Sequence, residues 1–69
     1  MMLKGTEAIL AARTLFGEPI EEDDTSAVFI AREGTDGHEH IMTGTLEFKC
    51  KLNPGEPGSD WSVTVSKTP

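Results

Sequence analysis

Apolar positions change their period along this chain, and each change marks an element. Ile9, Ala12 and Phe16 fall at i, i+3 and i+7 with Ala8, Ala11 and Leu15 beside them, so a helix over 6–16 has one apolar side. Leu10 lies on the flank of that stripe. Thr6 is a good N-cap, Glu7 suits the positive end of the helix dipole, and Gly17 followed by Pro19 ends the element. Residues 26–33 then turn strand-like around Val28, Phe29 and Ile30. The turn formers Gly34, Thr35, Asp36 and Gly37 reverse the chain. Strict alternation follows, with Met42, Leu46, Phe48, Cys50 and Leu52 on one parity and Thr43, Thr45, Glu47, Lys49 and Lys51 on the other. That pattern predicts a long strand over 40–52, with Gly44 as a bulge or bend within it. Residues 53–59 read as a turn. The last strand, 60–67, faces Trp61, Val63 and Val65 inward and Ser62, Thr64 and Ser66 outward.

The expected fold class is therefore α+β: one N-terminal helix packed on a three-stranded antiparallel sheet, an α-β-β-β meander spanning residues 1–69 as a single domain. Its core would combine Ile9, Ala12, Phe16, Leu46, Phe48, Cys50, Trp61, Val63 and Val65. One strand does not fit two layers. Residues 26–33 are apolar on both parities, with Ala27, Phe29 and Ala31 on one and Val28 and Ile30 on the other, and Ile41 points away from the face of residues 42–52. One helix covers one face. Either the strand is merely rich in β-formers, or a terminal segment wraps the second face, or that face is a contact surface for a partner or, through Phe29 and Ile41, for a second copy as a homodimer.

Length narrows the choices. Sixty-nine residues bury a small core, and the single cysteine, Cys50, allows no internal disulfide. A lone cysteine points to a reducing compartment, and polar residues interrupt every apolar run, so neither a secretory leader nor a membrane span is expected. The predicted location is cytoplasmic.

Charge changes the picture most. The net charge is −6, and it is unevenly placed. Residues 18–40 hold Glu18, Glu21, Glu22, Asp23, Asp24, Glu33, Asp36 and Glu39 against Arg32 alone, eight carboxylates to one cation and a net −7. Such a field excludes direct binding to nucleic acid or anionic membrane, which needs clustered Lys and Arg, and favours a basic partner.

Candidate chemistry is sparse. His38, Glu39 and His40 would place two imidazoles on one face of a strand, but zinc needs a third or fourth ligand, and Glu33, Asp36 and Cys50 are the nearby types on offer. No metal site and no cofactor is expected. Cys50 shares its parity with Phe48 and Leu52, which reads as a small buried hydrophobe rather than a nucleophile. Ser26, Ser59, Ser62 and Ser66 sit in no nucleophile pattern, so the chain is read as a binding protein and not as an enzyme.

The acidic block is either a solubilising surface or a docking surface. On the second reading Glu21, Glu22, Asp23 and Asp24, extended by Glu33, Asp36 and Glu39, bind the partner. Carboxylates at i and i+2 of an extended segment lie about 6.6 Å apart, close to the spacing of phosphates along a strand of nucleic acid. In its profile of small size, one domain, acidic surface and no catalytic set, the chain resembles phage-encoded inhibitors of host defence, anti-CRISPR and anti-restriction proteins among them. No stretch of it carries a family motif. The resemblance implies a stoichiometric inhibitor, a nucleic-acid mimic that blocks the basic nucleic-acid-binding surface of a protein or nucleoprotein complex. The alternative is a structural or assembly subunit that oligomerises through its apolar sheet face.

Overall fold

The helical stripe folds as its spacing requires. A computed structural model describes residues 2–55 and 60–69, and in it α1 runs Gly5–Phe16. Ala8, Ile9 and Ala12 are buried along one side, and the Gly17 N–H closes the last turn on the Arg13 carbonyl. The cap differs from expectation: the chain enters the helix one residue early, at Gly5, so Lys4 holds the cap position and Thr6 lies inside the first turn.

Two helices and a four-stranded antiparallel sheet make an α+β fold. The strands are β1 (Glu21–Glu22), β2 (Ser26–Ala31), β3 (Lys51–Pro54) and β4 (Trp61–Ser66), in the order β1-β2-β4-β3. The three-stranded meander is therefore corrected. β2 pairs with β4 along its whole length, from Ser26 opposite Ser66 to Ala31 opposite Trp61. β3 lies on the far side of β4, with Lys51 opposite Thr64 and Pro54 opposite Trp61. Both are antiparallel to β4, so β2 and β3 run in the same direction with β4 between them. A connection between such strands must travel the length of the sheet, which a two-residue hairpin cannot do.

That connection contains the second correction. Residues 36–43 form a helix, α2 (Asp36–Thr43), where a strand was expected from residue 40. Its stop and start signals are local. The Thr35 hydroxyl accepts from the His38 N–H at 3.3 Å, Asp36 and Glu39 stand in the first turn, and Gly44 ends the helix in the left-handed region at φ 69°. Gly44 is a helix cap, not a strand bulge. After it the chain is irregular as far as Cys50. Of the predicted 40–52 strand only Lys51 and Leu52 join the sheet, and β3 continues through Asn53 and Pro54, where the sequence predicts a turn. Phe48 is still buried, through an isolated parallel bridge to Leu3. Met42 and Leu52, expected inside, are exposed. The turn read over 53–59 lies partly outside the described residues; its near end is closed by the Gly55 N–H on the Asp60 carbonyl.

Parity decides which face of β2 is covered. Ala27, Phe29 and Ala31 are fully buried under α1, beside Val63 and Val65 of β4. Phe16 closes this core, with ring centroids 6.0 Å from Phe29 and 6.4 Å from Phe48. Phe29 is thus an internal residue and has no surface to offer a second copy, while Ile41 packs partly buried against the same core. The uncovered face carries Val28 and Ile30 in a field of Ser26, Ser62, Thr64 and Ser66.

α2 meets α1 through Gly37, where a Cβ would run into the Phe16 ring and come within 2.8 Å of the Leu15 carbonyl oxygen. Gly37→Ala is therefore expected to lower stability by about 1–3 kcal/mol, through overpacking at the helix contact. Urea unfolding measures this, and an unchanged midpoint would refute the contact.

Candidate partner-binding surface

The acidic block of the sequence is split in space. β2 separates its two halves by six residues of extended chain, about 20 Å. Residues 21–24 lie at the Ser26/Ser66 end of the sheet, whereas Glu33, Asp36 and Glu39 lie beyond Ala31, at the Trp61 end.

At the first end the carboxylates are largely engaged in folding. Glu22 pairs opposite Ala27 on the helix side of the sheet and Glu21 opposite Val28 on the uncovered side, so adjacent acids point to opposite faces. Glu22 accepts from Arg13 Nη2 at 3.0 Å and from Lys67 Nζ at 2.9 Å, tying α1, β1 and the end of β4 together. Its carboxyl is held below the usual glutamate range, chiefly by the Lys67 hydrogen bond. Asp23 Oδ1 accepts from the Thr25 N–H at 2.8 Å, the Thr25 hydroxyl and the Ser26 N–H, and these bonds close the β1–β2 turn. They also hold its carboxyl below the ordinary aspartate range, the Thr25 N–H contributing most. Lysines crowd the same end: Lys49 and Lys51 share a shallow depression with Thr25, Ser26, Thr64 and Ser66, and Lys4 lines another beside Lys49. Residues 21–24 therefore form no row of phosphate-like spacing. The extended geometry ends at Glu22, and that carboxylate is paired with two cations.

The other end is unmatched. Glu33, Asp36, Glu39 and Asp60 stand there with Arg32 as the local cation, a net −3. Arg32 is loosely held, its Nη1 4.0 Å from Asp60 Oδ2 with the side chain 71% exposed. Asp60 Oδ1 accepts from the Glu33 N–H at 3.0 Å and so fixes where β2 leaves the sheet. Beside two of these acids lies a depression of about 280 Å³ lined by Glu33, His38, Met42, Pro54, Asp60 and Trp61. Met42 is 64% exposed there, and Trp61 is only partly buried against the core. A thioether and an indole beside two carboxylates, Glu33 and Asp60, is an unusual use of exposed apolar surface. The sequence singles out neither Asp60 nor Met42, which sits at an inward-facing parity; Trp61 is a possible contact anchor in the sequence, but sharing a side with Val63 and Val65 it reads first as core.

The histidine pair does not converge. On a helix, residues two apart are rotated by about 200°, so His38 and His40 leave on different sides of α2. His40 Nδ1 lies 2.8 Å from the Thr45 hydroxyl, and no group of three or more metal-ligand side chains occurs among the described residues. Burial pushes the Cys50 thiol up, away from the thiolate a nucleophile needs. No helix among the described residues is long and apolar enough to cross a membrane. No family model, curated protein or solved structure matches the chain.

Lowered carboxyl pKa values in the folded state make stability pH-dependent. Glu22 and Asp23 contribute above their unfolded values, and that contribution is lost as pH falls through the lowered folded ones. The urea midpoint should drop from about pH 5 downward, and Glu22→Gln and Asp23→Asn should each flatten that drop while lowering stability at neutral pH. Variants with the full acid-side loss of the parent would show that neither carboxylate holds the β1 turn.

Proposed function

We propose that the chain is a protein-binding module that docks on a basic partner through the α2 end, and that it acts by stoichiometric blockade of a basic nucleic-acid-binding surface. The observation that carries this is the unmatched acidic rim around the Met42–Trp61 depression. Binding surfaces concentrate their energy in a few aromatic and flexible apolar anchors beside polar groups, and Trp61 and Met42 with Glu33 and Asp60 have that arrangement. Asp36 and Glu39, in the first turn of α2, add to the negative field. The rim's sign selects basic partners and speeds encounter with them. Residues 21–24 play the lesser part in this reading, since Glu22 is ion-paired and Asp23 is hydrogen-bonded within the fold.

Assembly through the uncovered sheet face draws less support. Val28 and Ile30 are its apolar centre, and hydroxyl side chains surround them. A partner's own nucleic acid would compete for the basic surface, so blockade is measurable as displacement.

Two charge-reversal variants separate the ends of the molecule. Glu33→Lys/Asp36→Lys/Glu39→Lys should abolish salt-sensitive capture of a nucleic-acid-binding complex from host lysate, and with it displacement of that complex's DNA or RNA. Glu21→Lys/Asp24→Lys should weaken both by no more than about threefold, because it leaves the rim intact. Equal losses in the two variants, or capture that persists in the first, would remove the α2 end as the docking surface.

A further inference from the structure

We infer that the depression at the α2 end receives an arginine side chain of the partner, an inference that rests on the reading above and assigns a role to its apolar centre. Trp61, Met42 and Pro54 offer apolar surface for an aliphatic stem, and Glu33 and Asp60 offer carboxylates beside it. The Glu33 carboxylate makes no ion pair among the described residues. One Asp60 oxygen is engaged by the Glu33 N–H, and the other stands at the outer limit of ion pairing from Arg32. The molecule's own guanidinium is thus drawn to the rim without lining the depression, and the carboxylates keep capacity for another.

Chemistry distinguishes the occupants. A guanidinium is planar and weakly hydrated, stacks on an indole face and pairs with a carboxylate through a fork of N–H donors. A lysine ammonium has the charge but not the planar face, and it is more strongly hydrated. A neutral or anionic group gains nothing from the acidic rim. Arginine matches four of the six lining residues: stem to Met42 and Pro54, plane to Trp61, fork to Glu33.

Trp61 is the sole tryptophan of the chain, so its emission reports on the depression directly. The probes are N-acetyl-Gly-Arg-Gly-amide and its lysine and citrulline counterparts, titrated into the intact protein at low salt. The arginine peptide should shift Trp61 emission saturably and bind about threefold or more tightly than the lysine peptide, with no shift from citrulline. Glu33→Gln and Met42→Ala, both at exposed positions, should weaken arginine binding about threefold or more with the urea midpoint little changed. Glu7→Gln, on the first turn of α1, should leave it unaltered. Equal response to all three peptides, or unaltered binding in both rim variants, overturns the assignment. Emission that changes with protein concentration alone would give the depression to a second copy and overturn it as well. If the arginine peptide leaves Trp61 unmoved while charge reversal at residues 33, 36 and 39 still abolishes partner capture, the arginine assignment falls and the acidic docking surface stands. Failure of both experiments removes both.

Discussion

Everything in this fold depends on burying one parity of β2. Ala27, Phe29 and Ala31 lie beneath a single helix, and Phe29 together with Val63 and Val65 supplies the largest fully buried side chains. Once that parity is inside, β4 must run beside β2 to cover the rest of the helix's apolar stripe, because no other strand carries two inward valines. The segment between β2 and β3 must then pass around to the open edge of β4. A helix is the economical way to carry chain along a sheet with its backbone groups paired, and α2 fills that role. Its approach to α1 is set by Gly37, where the helices come close enough to exclude a side chain.

The elements with a single dominant signal were legible. α1, β2 and β4 follow from periods that no local feature contradicts, and Gly17 ends α1 where its position in the sequence says it should. Residues 35–52 carried two signals at once. Alternation over 42–52 argued for a strand, while Thr35, Asp36 and Gly44 are a helix start and stop nine residues apart. Cap chemistry won locally because α2 also had a surface to pack on, and the alternation at Leu46, Phe48 and Cys50 survives as an irregular segment whose apolar side chains still turn toward the core. The two residues of β1 had no legible signal, since glutamates are poor strand formers. Their strand exists through pairing with Val28 and Ala27 and through cations distant in sequence.

The same distance in sequence explains why the charged surface was only half legible. A count along the chain finds an acidic block, and it is there. Only the folded arrangement brings Arg13 and Lys67 onto Glu22, gathers Lys4, Lys49 and Lys51 at that end, and carries Glu33, Asp36, Glu39 and Asp60 away from them. Ion pairs at half-exposed positions contribute modestly to stability, yet they cancel the outward field of the acids they engage.

Field and apolar exposure coincide at the α2 end. In a domain of this size every apolar side chain left outside is withheld from a core that has little to spare. Met42 at the surface and Trp61 only half covered are such omissions, and they occur where the negative charge is least compensated. A solubilising acidic loop requires no apolar group beside it. A docking surface requires both, with the carboxylates setting the sign of the partner and the indole and thioether supplying area that association can bury. The uncovered sheet face lacks this combination: Glu21 and Lys51 lie at its opposite edges, and hydroxyl groups separate them. Of these two surfaces, the α2 end is the one that joins a net field to desolvatable area.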